Sequence, residues 1–175
     1  MTTATHTFRE ASASDAAVLA LLVRTAYRGE AGWTTEAAFL DDERIDVEGV
    51  TDKITRPDGV VLVAAAADGA VVGCCELVDR RDGLAYFGMF AVDPTLQAAG
   101  LGRALLTHAE RYAATRWHTQ TMEMTVIAQR EELISWYVRR GYAVADETRP
   151  FPYDRLVNGS ALRDDLYFVV LTRTL

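Results

Sequence analysis

Residues Leu84 to Val92 form an almost wholly apolar run, and shortly after it Gln97-Ala98-Ala99-Gly100-Leu101-Gly102-Arg103 opens an amphipathic helical stretch. A strand that passes through two glycines into a helix admits few folds, because it demands a turn whose backbone approaches its surroundings without Cβ interference. The first-turn N–H groups of such a helix have no partner within it and point at any anion that arrives. The junction reads as a phosphate cradle with a pyrophosphate as its cargo. The same glycines also suit a tight strand-to-helix turn that binds nothing.

The spacing rejects the common nucleotide loops. A P-loop needs Gly, four residues, then Gly-Lys and Ser or Thr, and no such string occurs; a dinucleotide fingerprint needs a third glycine where this chain has Leu105. The net charge of −7 argues against a general nucleic-acid binder, which needs a basic surface, and is compatible with a cationic amine substrate. Cys74 and Cys75 are adjacent in an expected strand and should face opposite ways, so no disulfide joins them. His6, His108 and His118 show no metal-ligand spacing, and no metal is expected. The polar start, Met1 to Glu10, lacks the layout of a secretory signal, and no apolar run reaches membrane-spanning length, which places the protein in the cytoplasm.

With 175 residues, half of them apolar, the chain suits one domain over residues 1–175. A strand is expected at Phe8 to Ala11, then a helix from Asp15 whose apolar face is Val18, Leu19, Leu22, Val23 and Ala26. Tyr27 to Trp33 breaks the pattern, and Thr34 to Leu40 and Asp46 to Thr55 read as two short helices. Pro57-Asp58-Gly59 and Asp68-Gly69 punctuate two antiparallel strands, Val60 to Ala66 and Ala70 to Val78. Leu84 to Val92 is then a central strand buried on both faces, with Gly88 marking a bulge or a close ligand. After the glycine loop, Leu101, Leu105, Ala109, Tyr112 and Ala113 form a helix face. Met122 to Ile127 is a strand, Glu131 to Arg140 a helix capped by Gly141, Ala143 to Ala145 extended, and Leu166 to Leu171 a closing strand. The sum is a mixed sheet of six or seven strands with flanking helices, of α/β or α+β class.

Two motifs carry a resemblance. The pattern Gln-x-x-Gly-x-Gly at Gln97, Gly100 and Gly102, with Arg103 continuing the helix, is joined by Leu133-Ile134-Ser135-Trp136-Tyr137-Val138-Arg139-Arg140-Gly141-Tyr142. Together they resemble the acyl-CoA loop and late helix signature of the GNAT-type N-acetyltransferase superfamily, and the resemblance runs from about Phe8 to the last strand. It implies a mostly antiparallel central sheet flanked by four or five helices, with a bulged central strand at the acyl-CoA site. It also implies a homodimer, and acetyl-CoA as acyl donor. Backbone N–H groups of Gln97, Ala98, Ala99, Gly100, Leu101, Gly102 and Arg103 would hold the pyrophosphate, and Phe90, Ala91 and Val92 would lie along the pantetheine. Tyr137 would protonate the departing thiolate, although its stripe with Leu133 equally suits a core aromatic. Many family members carry Asn where this chain has Arg130, which is read here as solvated.

No carboxylate stands out as the base that deprotonates the amine. Glu76 is retained as a candidate, ahead of Tyr86, whose intrinsic pKa is high; Glu76 and Glu123 both also suit outward-facing strand positions. Substrate contacts are expected from Tyr27 to Trp33 and Pro150 to Arg155, with Tyr27, Glu30, Trp33 and Tyr153 as the candidates. Glu30 would suit an ammonium, and Arg28 or Arg155 a carboxylate. The leading reading is direct acetyl transfer to a primary amine on a small molecule. Its rivals are a catalytically degenerate CoA-binding or sensing domain and an enzyme acting on protein N-termini or lysines; a pocket closed by the two irregular segments would favour the small molecule.

Overall fold

The computed structural model describes residues 5–175; the first residues of the polar start lie outside it. Strand β1 (Thr7–Glu10) leads into helix α1 (Ala16–Arg28), a two-residue strand β2 (Leu40–Asp41) and helix α2 (Val47–Thr55). Strands β3 (Gly59–Ala65), β4 (Val71–Asp79) and β5 (Leu84–Val92) follow as an antiparallel meander. Helix α3 (Leu101–Arg116) crosses over to β6 (Thr121–Ile127), and α4 (Glu131–Val138) leads to β7 (Ala143–Pro150), the two-residue β8 (Ser160–Ala161) and β9 (Tyr167–Thr174). The large sheet has the order β1-β3-β4-β5-β6-β9-β7.

Every pairing in that sheet is antiparallel except β5 with β6, whose parallel register covers only Leu84–Thr121, Ala85–Met122 and Tyr86–Glu123. Beyond it β5 stays paired with β4 and β6 with β9, so the sheet opens along its middle. A bulge sits where the opening begins. Cys74 pairs with Ala91 and Glu76 with Gly88, so Met89 and Phe90 together face Cys75, and Met89 takes φ +45°. Such an extra residue bends its strand and reverses the facing of the residues beyond it. Ala85 and Phe87 accordingly pack with α3, whereas Met89 and Ala91 pack with α1 and α2.

Two helix layers cover the sheet. Leu101, Leu105, Leu106 and Ala109 of α3 lie on Leu62, Ala64, Leu77 and Phe87, each buried leucine contributing roughly 1.5–3 kcal/mol. On the other face Leu19 and Val23 of α1 and Val50 of α2 lie on Val61, Val63 and Cys74. The two cysteines point to opposite layers as expected; both are free and buried, and burial pushes the Cys74 thiol up to about 12.

Several expectations need correction. Val18 is exposed and Ala20 takes its place on the buried face of α1, because the helix presents the side defined by Ala16, Leu19, Ala20 and Val23. Thr34 to Leu40 is not a helix. It makes one turn, with Phe39 and Leu40 N–H bonded to Glu36 O, and is tethered by Glu36 N–H to Tyr27 O at 2.8 Å. β5 alternates in burial instead of being covered on both faces, because Tyr86, Gly88 and Phe90 border a cavity. β7 runs on to Pro150 despite its polar sequence, because an outer strand needs backbone pairing with β9 rather than a buried face.

β2 and β8 form a clasp that the sequence did not suggest. Leu40 pairs with Ala161 and Asp41 with Ser160, and the bonds Glu43 N–H to Val157 O and Leu162 N–H to Phe39 O, both 2.8 Å, extend it. The two irregular segments are thereby tied together. A Cβ at Gly159 would lie 1.9 Å from Asp41 O. Gly159→Ala is therefore expected to loosen the clasp and lower stability by about 1–3 kcal/mol; a urea melt superimposable on that of the parent would contradict this.

Candidate active site

The opening between β5 and β6 holds two adjoining cavities of about 280 and 230 Å³ that share Tyr27, Phe90, Arg130, Leu133 and Tyr137 as lining. Tyr137 reaches this boundary because α4 starts directly after β6 and turns its Leu133–Tyr137 stripe toward Phe90. The residue is buried, and its hydroxyl makes no hydrogen bond with any described residue. Burial pushes its pKa well above the ordinary tyrosine value, so it remains a proton donor at neutral pH.

The smaller cavity is built around the glycine loop. A 3₁₀ turn, Pro94–Ala99, ends at Gly100 with φ +79°, and α3 begins at Leu101 with no side chain capping it. The first bond of the helix runs from Ala104 N–H to Gly100 O, which leaves the preceding N–H groups available to an anion. A Cβ at Gly102 would stand 3.3 Å from Phe90 Cζ, so a side chain there would crowd the Phe90 ring at the cavity wall. Gln97 secures the loop: its Oε1 accepts from Trp33 N–H at 3.0 Å. Arg140 lies over the Trp136 ring at 3.5 Å and donates to Trp136 O at 2.7 Å, while its buried Nε has no partner. Burial and then the neighbouring Arg139 and Arg103 lower its pKa, the mark of crowded cations without a counter-ion. An N–H cradle, a cleared glycine and an orphaned guanidinium donor fit a pyrophosphate.

Of the residues expected to hold the donor, Phe90, Ala91, Val92, Gln97, Ala98, Gly100, Gly102 and Arg103 line this cavity. Ala99 does not, and Leu101 is turned into the core. Trp33, expected at the acceptor, lines the donor cavity.

The larger cavity is walled by apolar side chains, among them Phe87, Met89, Met124, Ile127, Phe151 and Phe168, and carries a buried ionic network on one side. Arg28 pairs with Glu36 through Nη1 and with Asp42 through Nε at 2.6 Å; Arg130 Nη1 pairs with Glu36 at 3.0 Å. Arg130 is thus buried and not solvated, and its Nε has no partner. Tyr86 reaches Thr125 Oγ1 at 3.3 Å, and a Cβ at Gly88 would lie 2.7 Å from its ring, which explains the glycine there.

The remaining candidates divide. Tyr27 lines both cavities. Glu30 is exposed and lines neither. Tyr153 lines neither, since its hydroxyl accepts from Leu166 N–H at 2.8 Å, although Phe151, Pro152 and Arg155 beside it do line the acceptor cavity. Glu76 is misplaced for a base: it is buried facing α2, held by Lys53 Nζ at 2.7 Å and Arg56 Nη1 at 3.4 Å, and lines neither cavity. Glu123 is paired with Arg149 at 2.8 Å. The sequence reading missed Glu36, Asp42, Arg44, Trp136 and Arg140 as site residues. Only the last two carried a signal, Trp136 directly before Tyr137 and Arg140 about one turn after it.

Residues 22–142, more than half the chain, match the Acetyltransferase (GNAT) family. The chain belongs to this family. A GNAT domain is an acyltransferase, and family members draw their acyl group from acetyl-CoA. The solved structures agree on the fold. The PaiA N-acetyltransferase of Thermoplasma acidophilum in complex with coenzyme A is 20% identical with TM-score 0.74, covering 98% of this chain and 99% of that one. The spermidine/spermine N-acetyltransferase SpeG of Vibrio cholerae is 16% identical with TM-score 0.66, covering 97% and 92%. The IAA acetyltransferase of Bacillus cereus is 18% identical with TM-score 0.67, covering 98% and 100%. Comparison with curated protein sequences gives no match. No helix among the described residues is long and apolar enough to cross a membrane.

Gly102→Asp, which adds bulk and negative charge to the cradle, is expected to weaken acetyl-CoA binding by about two orders of magnitude or more in a calorimetric titration. Undiminished affinity would reject the assignment of the donor cavity.

Proposed function

We propose that this chain, as one domain, moves the acetyl group of acetyl-CoA directly to a primary amine on a small molecule. The observation that carries the reading is Tyr137: a buried residue whose protonated hydroxyl has no described partner, at the boundary of a cavity suited to a pyrophosphate-bearing donor and one with apolar and charged walls suited to an acceptor. The β2–β8 clasp ties the two irregular segments together beside the acceptor cavity, which Leu40 and Asp42 help to line, and this favours a small molecule over a protein terminus or lysine.

Acetyl-CoA supplies the activated acyl group. The α3 N-terminus and Arg140 hold its phosphates, and the free edge of β5 at Phe90 to Val92 aligns the arm that bears the thioester. N–H groups released from the β4–β5 ladder by the Met89 bulge would receive the developing oxyanion, and Tyr137 gives its proton to the departing sulfur. Both cysteines are buried with raised pKa values, which suits direct transfer without a covalent enzyme intermediate. The two carboxylates of the acceptor cavity are already bound by arginines, so no acid there is free to act as base. The cationic lining itself lowers the pKa of a bound ammonium, and water takes the proton, with the Tyr86 hydroxyl at the cavity wall placed to relay it.

Tyr137→Phe is expected to lower kcat by about 10²–10⁴-fold in a CoA-thiol release assay while leaving acetyl-CoA affinity unchanged. An unchanged kcat at saturating substrate would remove the general-acid role. Acetyl-CoA binding without thiol release across a broad amine panel would instead favour a sensing domain. We extend the proposal to a cytoplasmic homodimer, as the resemblance implies; light scattering should return twice the chain mass.

A further inference from the structure

Four arginines line the acceptor cavity, Arg28, Arg44, Arg130 and Arg155, against two carboxylates, Glu36 and Asp42. The carboxylates are committed. Glu36 takes Arg28 and Arg130, and Asp42 takes Arg28 together with Val157 N–H at 3.1 Å. Arg44 and Arg155 make no ion pair with any described residue. The cavity therefore offers two guanidinium groups with no carboxylate in direct contact, and no free acid.

Arg44 is also held in place at a cost. Its φ is +64°, in the left-handed region that side-chain-bearing residues rarely adopt, and Ile45 N–H bonds to Glu43 O across it at 2.7 Å in a tight three-residue turn. Strain of this kind, of order 1–3 kcal/mol, persists where surrounding structure enforces it and gathers at binding sites. The turn lies next to the clasp and sets the guanidinium 5.0 Å from the Tyr27 ring, at the wall of the cavity and partly shielded from water. Burial opposes its charge, but nearby Tyr27, Glu36, Tyr86 and Asp42 hold its pKa above the ordinary arginine value, and with no carboxylate in direct contact its N–H donors are open to an arriving anion.

We propose that the acceptor is an amine carrying a carboxylate on an otherwise apolar body, such as an apolar amino acid, and that Arg44 and Arg155 receive the carboxylate. The inference rests on the acetyltransferase reading of the same cavity. Guanidinium groups match a carboxylate through two parallel N–H bonds. Phe87, Met89, Met124, Phe151 and Phe168 accept the apolar body. A polyamine fits poorly, since its second ammonium would meet unpaired arginines with no acid to receive it.

The test compares apolar amino acids with their matched carboxamides and with spermidine, using acetyl-CoA and CoA-thiol release, alongside calorimetry of the same acceptors on the protein–CoA complex. The acids should show kcat/KM at least about tenfold above the amides, against the intrinsic bias of the more readily deprotonated amides. Arg44→Gln should collapse that ratio toward one through KM, and Arg44→Lys should restore part of it. If Arg44→Gln does not fold, Arg155→Gln, at an exposed position, should reduce the same ratio. Amides or spermidine acetylated as well as the acids, or acids neither bound nor turned over, would overturn the inference and leave the acetyltransferase reading standing. Acids bound in an Arg44-dependent way without turnover would keep the carboxylate site and overturn that reading.

Discussion

Strands β5 and β6 pair only as far as Tyr86 and Glu123, and the backbone groups on their facing edges beyond that point must be satisfied by something other than each other. In a continuous sheet those groups would complete a ladder. Here the Met89 bulge bends β5 away while β4 and β9 hold the two halves of the sheet in place. The resulting wedge places Phe90 to Val92 on one wall and α4 on the other, with Tyr137 between. The fold thus stores unsatisfied hydrogen-bonding capacity at its centre, and an extended ligand arm is the natural group to meet it.

The ionic network of Arg28, Glu36, Asp42 and Arg130 fixes the acceptor side of that wedge. All four side chains are under a tenth exposed, so desolvation offsets much of their attraction, and loss of one partner would strand a buried charge at a cost of about 3–5 kcal/mol. Such a network favours one arrangement of the chain. It joins the end of α1 to the start of α4 and to the segment leading into the clasp, so the cavity wall is set before any ligand arrives.

Local patterns were legible in the sequence and distant pairings were not. Gly100 and Gly102 announced the loop because positive φ and close approach are properties of the residue itself, and Gly88 marked the bulge within one position. Tyr137 could be placed from its helical stripe. The role of Glu76 could not be judged without knowing that Lys53 and Arg56 cover it, and Arg130 looked solvated because Glu36, its partner, lies far off in the chain. The helix expected at Thr34 to Leu40 failed for the same reason: tethers from Glu36 to Tyr27, Arg28 and Arg130 override local propensity. Two-residue strands such as β2 and β8 leave no periodicity to detect.

Amide hydrogen exchange with and without acetyl-CoA tests most directly whether the opening in the sheet is the donor site. The account predicts slowed exchange in β5 from Met89 to Val92 and in the first turn of α3 from Leu101 to Arg103, with Val61 to Val63 of β3 unchanged. Binding that leaves both cleft segments unprotected would contradict it.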